Sequence, residues 1–176
     1  MTQQLAQRLA TGIRDVADFP KVGVGFKDIT PLLGDPGLLR AAVAGLAEPF
    51  AEAGITKVLG VEARGFILAA PVALHLGAGF VPVRKVGKLP GAVERAEYAL
   101  EYGTDILEVH RDSVGPGERV VILDDVLATG GTAAATIRLA EALGAEVVGL
   151  AFLIELAFLG GRSCLPGRPV TSLLTY

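Results

Sequence analysis

An α/β fold with a central, mainly parallel sheet is the architecture this sequence predicts, and three observations predict it. Residues 120–123 (Val-Val-Ile-Leu) and 147–154 are continuous apolar runs, as expected of strands buried on both faces. Shorter β-rich runs at 57–61 and 80–83 add two further strands. Runs of helical periodicity at 66–76 and 132–143 follow two of these strands, so strand, loop and helix recur along the chain. In such a sheet ligands are expected at the carboxyl ends of the strands.

The remaining elements follow in order. Leu5, Leu9, Ile13 and Val16 recur at steps of three and four, which predicts an amphipathic helix over residues 3–16. Residues 19–26 (Phe-Pro-Lys-Val-Gly-Val-Gly-Phe) carry proline and glycines that predict an irregular segment. Asp35-Pro36 places a capping carboxylate before a proline at the first helical position, opening a helix to about residue 53 that Gly54 stops. Residues 84–97 are rich in Gly, Pro and charge and predict a loop, after which alternation at 98–102 and the β-rich run 106–109 predict a hairpin.

A chain of 176 residues suits one compact domain with a sizeable core. Half of it is apolar, a fifth is charged and both signs are interspersed, which excludes disordered and fibrous classes. The net charge of -3 argues against nucleic acid as a main partner. One cysteine, Cys164, rules out an internal disulfide and fits a reducing, cytoplasmic compartment. The first ten residues lack a secretory pattern. The longest apolar stretch, 147–159, is interrupted by Glu155 and falls short of the roughly 20 residues of a membrane span.

The chemistry concentrates after the strand at 120–123. Asp124 and Asp125 stand side by side and lead into Ala128-Thr129-Gly130-Gly131-Thr132, which opens the next helix. Adjacent carboxylates repel and lose hydration, so they call for a cation, donors or a polyhydroxyl partner, and a ribose diol meets that need. The loop offers small residues for close backbone approach, threonine hydroxyls and a helix N-terminus, all suited to a phosphate. Gly131 is followed by Thr132 and not by the Lys of a nucleotide P-loop, and the dinucleotide-binding glycine spacing is absent. A sugar phosphate satisfies both halves.

On these residues the chain resembles the type I phosphoribosyltransferases, whose donor-binding motif is an apolar strand, two acidic residues and a Thr-Gly-Gly-Thr type loop. Glu62-Ala63-Arg64-Gly65-Phe66, Val81-Pro82-Val83-Arg84-Lys85, Gly87-Lys88-Leu89-Pro90 and Leu100-Glu101-Tyr102-Gly103 are similar to the adenine-specific members, in the family's order, from about residue 19 to 174. The resemblance implies a type I fold with a small N-terminal hood at about 19–34 and a flexible catalytic loop at about 84–103. It implies transfer of a phosphoribosyl group from 5-phosphoribosyl 1-pyrophosphate (PRPP) to adenine, giving AMP and pyrophosphate in purine salvage, with Mg²⁺ bound mainly through the substrate and a homodimer.

Residue by residue, the resemblance assigns Asp124, Asp125, Ala128, Thr129, Gly130, Gly131 and Thr132 to PRPP and AMP. It assigns Arg64, Arg84, Lys85 and Lys88 to pyrophosphate, and Glu101 with Arg64 to catalysis. Gly25, Phe26, Lys27 and Val126 are the candidate base contacts. Gly25 and Lys27 depart from the bulky apolar residue and arginine usual in the hood, which bears on base selectivity, although neither change deletes a backbone donor or acceptor. The rival readings are transfer to another purine and a PRPP-sensing regulator without catalysis. His75, His110 and Cys164 sit in no catalytic pattern.

Overall fold

The computed structural model describes residues 3–99 and 104–176. Five helices, α1 (Gln3–Ala10), α2 (Thr30–Gly34), α3 (Pro36–Ala47), α4 (Arg64–Leu76) and α5 (Gly131–Ala142), accompany nine strands. The strands are β1 (Arg14–Val16), β2 (Phe26–Asp28), β3 (Lys57–Val61), β4 (Gly79–Lys85), β5 (Val93–Ala99), β6 (Thr104–His110), β7 (Arg119–Leu127), β8 (Glu146–Glu155) and β9 (Val170–Thr175). Seven of them form one sheet in the order β5-β6-β4-β3-β7-β8-β9, and β1 pairs with β2 apart from it. From β4 to β9 the neighbours are parallel; the β5-β6 ribbon joins antiparallel at the β4 edge. The expected α/β fold is therefore present, with a mixed sheet.

Strand β7 shows why the apolar runs are continuous. Its pleat sends Val120 and Ile122 to one face and Val121 and Leu123 to the other, and all four are fully buried. On the first face α5 packs with Leu59, Val81 and Leu107; on the second α3 and α4 cover Val58, Ala151 and Leu153. The Asp35 carboxylate accepts from the N–H groups of Gly37 and Leu38 at 2.8 and 2.7 Å, the cap expected before Pro36.

Three expectations change. The helix expected over 3–16 ends at Ala10, because residues 14–16 pair as β1 with β2 and a Cβ at Gly12 would lie 2.7 Å from Leu38. The helix after Asp35 gives way to a 3-10 turn at Glu48–Phe50 short of residue 53. The loop expected over 84–97 is confined to residues 86–92, since β4 runs to Lys85 and β5 begins at Val93. Glu94, Arg95 and Glu97 hide that strand from hydropathy; its inward residues are Ala96 and Tyr98. Among the described residues no helix is long and apolar enough to cross a membrane.

Candidate active site

A cleft of about 450 Å³ opens at the carboxyl edge of the sheet, lined by β2 and the residues before it, by the segment after β3, by the end of β7, by the loop after it, and by Lys85, Tyr98 and Leu156. Strand β7 runs through Asp124 and Asp125 to Leu127 instead of stopping at residue 123. Parallel pairing of β3, β4, β7 and β8 brings their carboxyl ends to one edge, so residues far apart in sequence converge there. The β1-β2 hairpin supplies Val24, Gly25, Phe26 and Lys27, and Val126 completes the set of candidate base contacts.

Asp124 and Asp125 sit at the floor. The Asp124 carboxylate accepts from the Asp125 N–H at 2.9 Å. Burial, reinforced by the neighbouring Asp125 charge, pushes the Asp124 carboxyl well above the usual range. Burial also raises Asp125, against the lowering effect of Arg64. The Arg64 Nε lies 2.8 Å from Asp125 Oδ2, yet that buried oxygen has no aligned hydrogen-bond donor. The contact is an ion pair that leaves acceptor capacity unused. Gly65 is required beneath it, because a Cβ there would lie 2.7 Å from Asp124 Oδ1.

Residues 128–132 form a cradle of about 60 Å³ at the N-terminus of α5, lined by Asp124, Ala128, Thr129, Gly130 and Thr132 among others. Its support comes from a segment that sequence reasoning passed over. Glu155 at the end of β8 holds Arg162 in a fork of two 2.7 Å bonds, and Arg162 also donates to the Val170 carbonyl at 3.0 Å. That fork sets the turn at Gly161–Cys164 against the cradle. A Cβ at Gly161 would be 2.3 Å from the Ala128 oxygen, and one at Gly130 (φ +84°) would be 2.4 Å from the Gly161 oxygen. The Cys164 thiol donates to the Thr129 carbonyl at 3.2 Å. The only hint in the sequence is the pair Gly160-Gly161.

The four basic residues assigned to pyrophosphate are all held by carboxylates. Arg64 pairs with Asp125, Arg84 and Lys88 pair with Glu62, and Lys85 pairs with Asp105 while its ammonium also donates to the Tyr98 hydroxyl. Arg64 and Lys85 line the cleft; Arg84 and Lys88 do not appear in its wall, which Glu62 occupies. Glu62 is buried and also accepts from the Lys85 N–H at 2.9 Å. Burial raises its pKa, but Lys88, the Lys85 N–H and Arg84 outweigh that and hold it at about 2. The Glu62-Ala63 peptide bond is cis.

In the β1-β2 hairpin, Lys27 pairs with Asp15 across the register and lies 3.8 Å from the centroid of the Tyr176 ring. Its ammonium is thereby taken up by a carboxylate and a ring. Phe26 stacks edge-on with Phe19 at 5.1 Å and faces the Arg64 guanidinium at 5.2 Å. No atom lies within 4 Å of a Cβ built at Gly25, so the space a larger hood residue would fill is open. Glu101 and Tyr102 lie outside the described residues.

Two adjacent carboxylates, a small cradle at a helix N-terminus a few residues along, and cations across the same cleft are the arrangement that suits a ribose 5-phosphate bearing a diphosphate, the donor of the phosphoribosyltransferase class. The family model described as phosphoribosyl transferase domain matches residues 37–162. An adenine phosphoribosyltransferase of Acidothermus cellulolyticus is 56% identical over 170 residues, covering 97% of this chain and 96% of that protein. The crystal structure of adenine phosphoribosyltransferase from Rhodothermus marinus superposes with a TM-score of 0.95 at 57% identity, covering 99% of this chain and 100% of that one. That of Saccharomyces cerevisiae, complexed with an imino-altritol bisphosphate and adenine, gives 0.93 at 42% identity over 98% and 100% of the two chains. The chain belongs to the adenine phosphoribosyltransferase family.

Proposed function

We propose that the cleft transfers the 5-phosphoribosyl group of PRPP to N9 of adenine, with the roles divided among the residues above. The reaction is adenine plus PRPP to AMP plus pyrophosphate. The observation that carries the assignment is the adjacent Asp124-Asp125 pair, Asp125 buried and Asp124 partly so, set just before the cradle at the α5 N-terminus. Asp124 and Asp125 bind the ribose diol, and the N–H groups and hydroxyls of residues 128–132 bind the 5-phosphate. Adenine lies between Phe26 and Val126, met by the backbone of Gly25 and Lys27.

In the transfer, the bond from C1′ to the pyrophosphate oxygen breaks with both electrons leaving on pyrophosphate, and the C1′–N9 bond forms from the opposite face. Arg64, Arg84, Lys85 and Lys88 neutralise the charge that grows on the leaving group. Glu101 accepts the proton from adenine. Closure of the loop from Arg84 to Glu101 keeps water from taking the place of adenine at C1′.

Among the described residues no cluster of three potential ligands could hold a metal ion alone, whereas the unused acceptor capacity of Asp125 suits a hard cation whose other ligands come from the substrate. Asp125, with Asp124 beside it, would help hold Mg²⁺ arriving with PRPP, and the ion would supply charge neutralisation for the leaving pyrophosphate. A cytoplasmic homodimer completes the reading.

Turnover measured with adenine, guanine, hypoxanthine and xanthine, each with PRPP and Mg²⁺, tests it. Adenine as the preferred base is the expected result. Preference for another purine would reassign the acceptor, with the open space at Gly25 as the first place to look. Activity on none, with PRPP still bound, would favour a regulator.

A further inference from the structure

Each of the four cations assigned to pyrophosphate is occupied by a carboxylate, but the occupations differ. Asp125 is committed to the ribose site, and Lys85 is fixed in the ribbon between Asp105 and Tyr98. Glu62 alone holds two of the four, Arg84 at 3.2 Å and Lys88, and the cleft wall contains Glu62 but neither cation. The backbone that carries Lys88 is anchored apart from Glu62 one residue earlier, where the Gly87 N–H donates to the buried Glu108 carboxylate at 2.9 Å; the Lys88 carbonyl itself accepts from Arg84 at 3.3 Å. The half-exposed Lys88 side chain therefore has a fixed root and a free head, with Glu62 between it and the cleft.

Building on the functional reading above, we propose that Glu62 is an exchange partner for pyrophosphate: it stores Lys88 and Arg84 while the pyrophosphate site is empty, yields them when PRPP binds, and recaptures them as pyrophosphate leaves. Glu62 touches no reacting atom and acts through the two cations, so it is a positioning residue. The physical case is a competition of anions for the same donors. A diphosphate offers more charge and more oxygens than one carboxylate and displaces it, while the carboxylate, fixed beside the donors, has no association entropy to lose and takes them back. When displaced, Glu62 keeps the Lys85 N–H as a partner.

Titration calorimetry of magnesium pyrophosphate into wild type and Glu62→Gln tests the exchange. With the competitor neutralised, pyrophosphate should bind about tenfold more tightly, the value of one charge-assisted bond. The product-inhibition constant and the KM for PRPP should fall together, and kcat should fall as pyrophosphate release slows. A folded Glu62→Gln variant whose pyrophosphate affinity is unchanged or weaker overturns the proposal. Should that variant not fold, the Glu62 carboxyl ¹³C resonance of wild type, assigned through its displacement in Lys88→Met, supplies the answer: it must move on saturation with magnesium pyrophosphate, and a stationary resonance overturns the idea. A wild type that makes no AMP from adenine and PRPP would sink the functional reading instead, so the two failures are told apart.

Discussion

The strand-loop-helix at 119–142 and the ribbon at 79–110 both present charge to one cleft, yet they are built in opposite ways. In the first, the functional groups are consecutive, and the core beneath them is apolar on both faces of β7. The carboxylates there are left short of partners, a desolvated pair whose charged form the fold disfavours. In the second, Arg84, Lys85 and Lys88 each already have a carboxylate that is distant in sequence, 20 to 26 residues away. A site that waits for its ligand is under-satisfied, whereas a site that trades ligands is pre-satisfied. The contrast separates binding that is unopposed from binding that proceeds by exchange.

Asp124→Asn should break the first region most severely. Turnover is expected to fall by about 10³-fold or more, as for loss of a central charged contact. The same change should stabilise the ligand-free protein at neutral pH. The sign follows from linkage: with its folded pKa raised by burial and by Asp125, Asp124 favours the fold below the unfolded carboxylate value, and this is lost as pH rises through the folded value. A rise of about 2–4 °C in Tm at pH 7, shrinking towards pH 4, is the calorimetric expectation, taking roughly 1 kcal/mol of relieved repulsion. A lower Tm at pH 7 would contradict the burial argument.

Gly161→Ala should come next. Its Cβ would press on the Ala128 carbonyl and move the cradle without touching any ligand. Stability should fall by about 1–3 kcal/mol and kcat/KM for PRPP by roughly 10²-fold, through misplacement of the phosphate site. Denaturant melts combined with initial rates would check it; full activity would mean the Gly160–Cys164 support is dispensable.

Asp105→Asn acts on the ribbon and should do less. The Lys85-Asp105 pair is partly exposed, so its loss should cost about 0.5–1 kcal/mol in stability and raise the KM for PRPP by a few-fold. An effect as large as that of Asp124→Asn would erase the distinction between the regions. Cys164→Ser is the mildest. A hydroxyl can replace the thiol as donor to the Thr129 carbonyl, and the KM for PRPP should stay within about threefold of wild type.

Where the ligand groups are contiguous, the sequence was readable. The α5 start at Gly131, the Asp35 cap and strands β3, β7 and β8 follow from periodicity and local chemistry, and Asp124 to Thr132 could be singled out from their own neighbours. Where a function is shared between segments, the reading stopped. Strand β5 carries its inward face on Ala96 and Tyr98 between charged residues, and hydropathy sees a loop. Residues 14–16 continue a helical pattern but pair with β2 instead.

By itself, then, the sequence determined the strand and helix alternation, the run of paired carboxylates and small residues from Asp124 to Thr132 and the inventory of charge, because each rests on residues within one turn or one strand of each other. Tertiary structure alone decided which carboxylate holds which cation, that Glu62 stands in the cleft wall in place of Arg84 and Lys88, and that Gly161 lies under the phosphate cradle. These are pairings between segments brought to one sheet edge by parallel strands. A carboxylate has the same composition whether it faces water or two cations; only the fold supplies its partners.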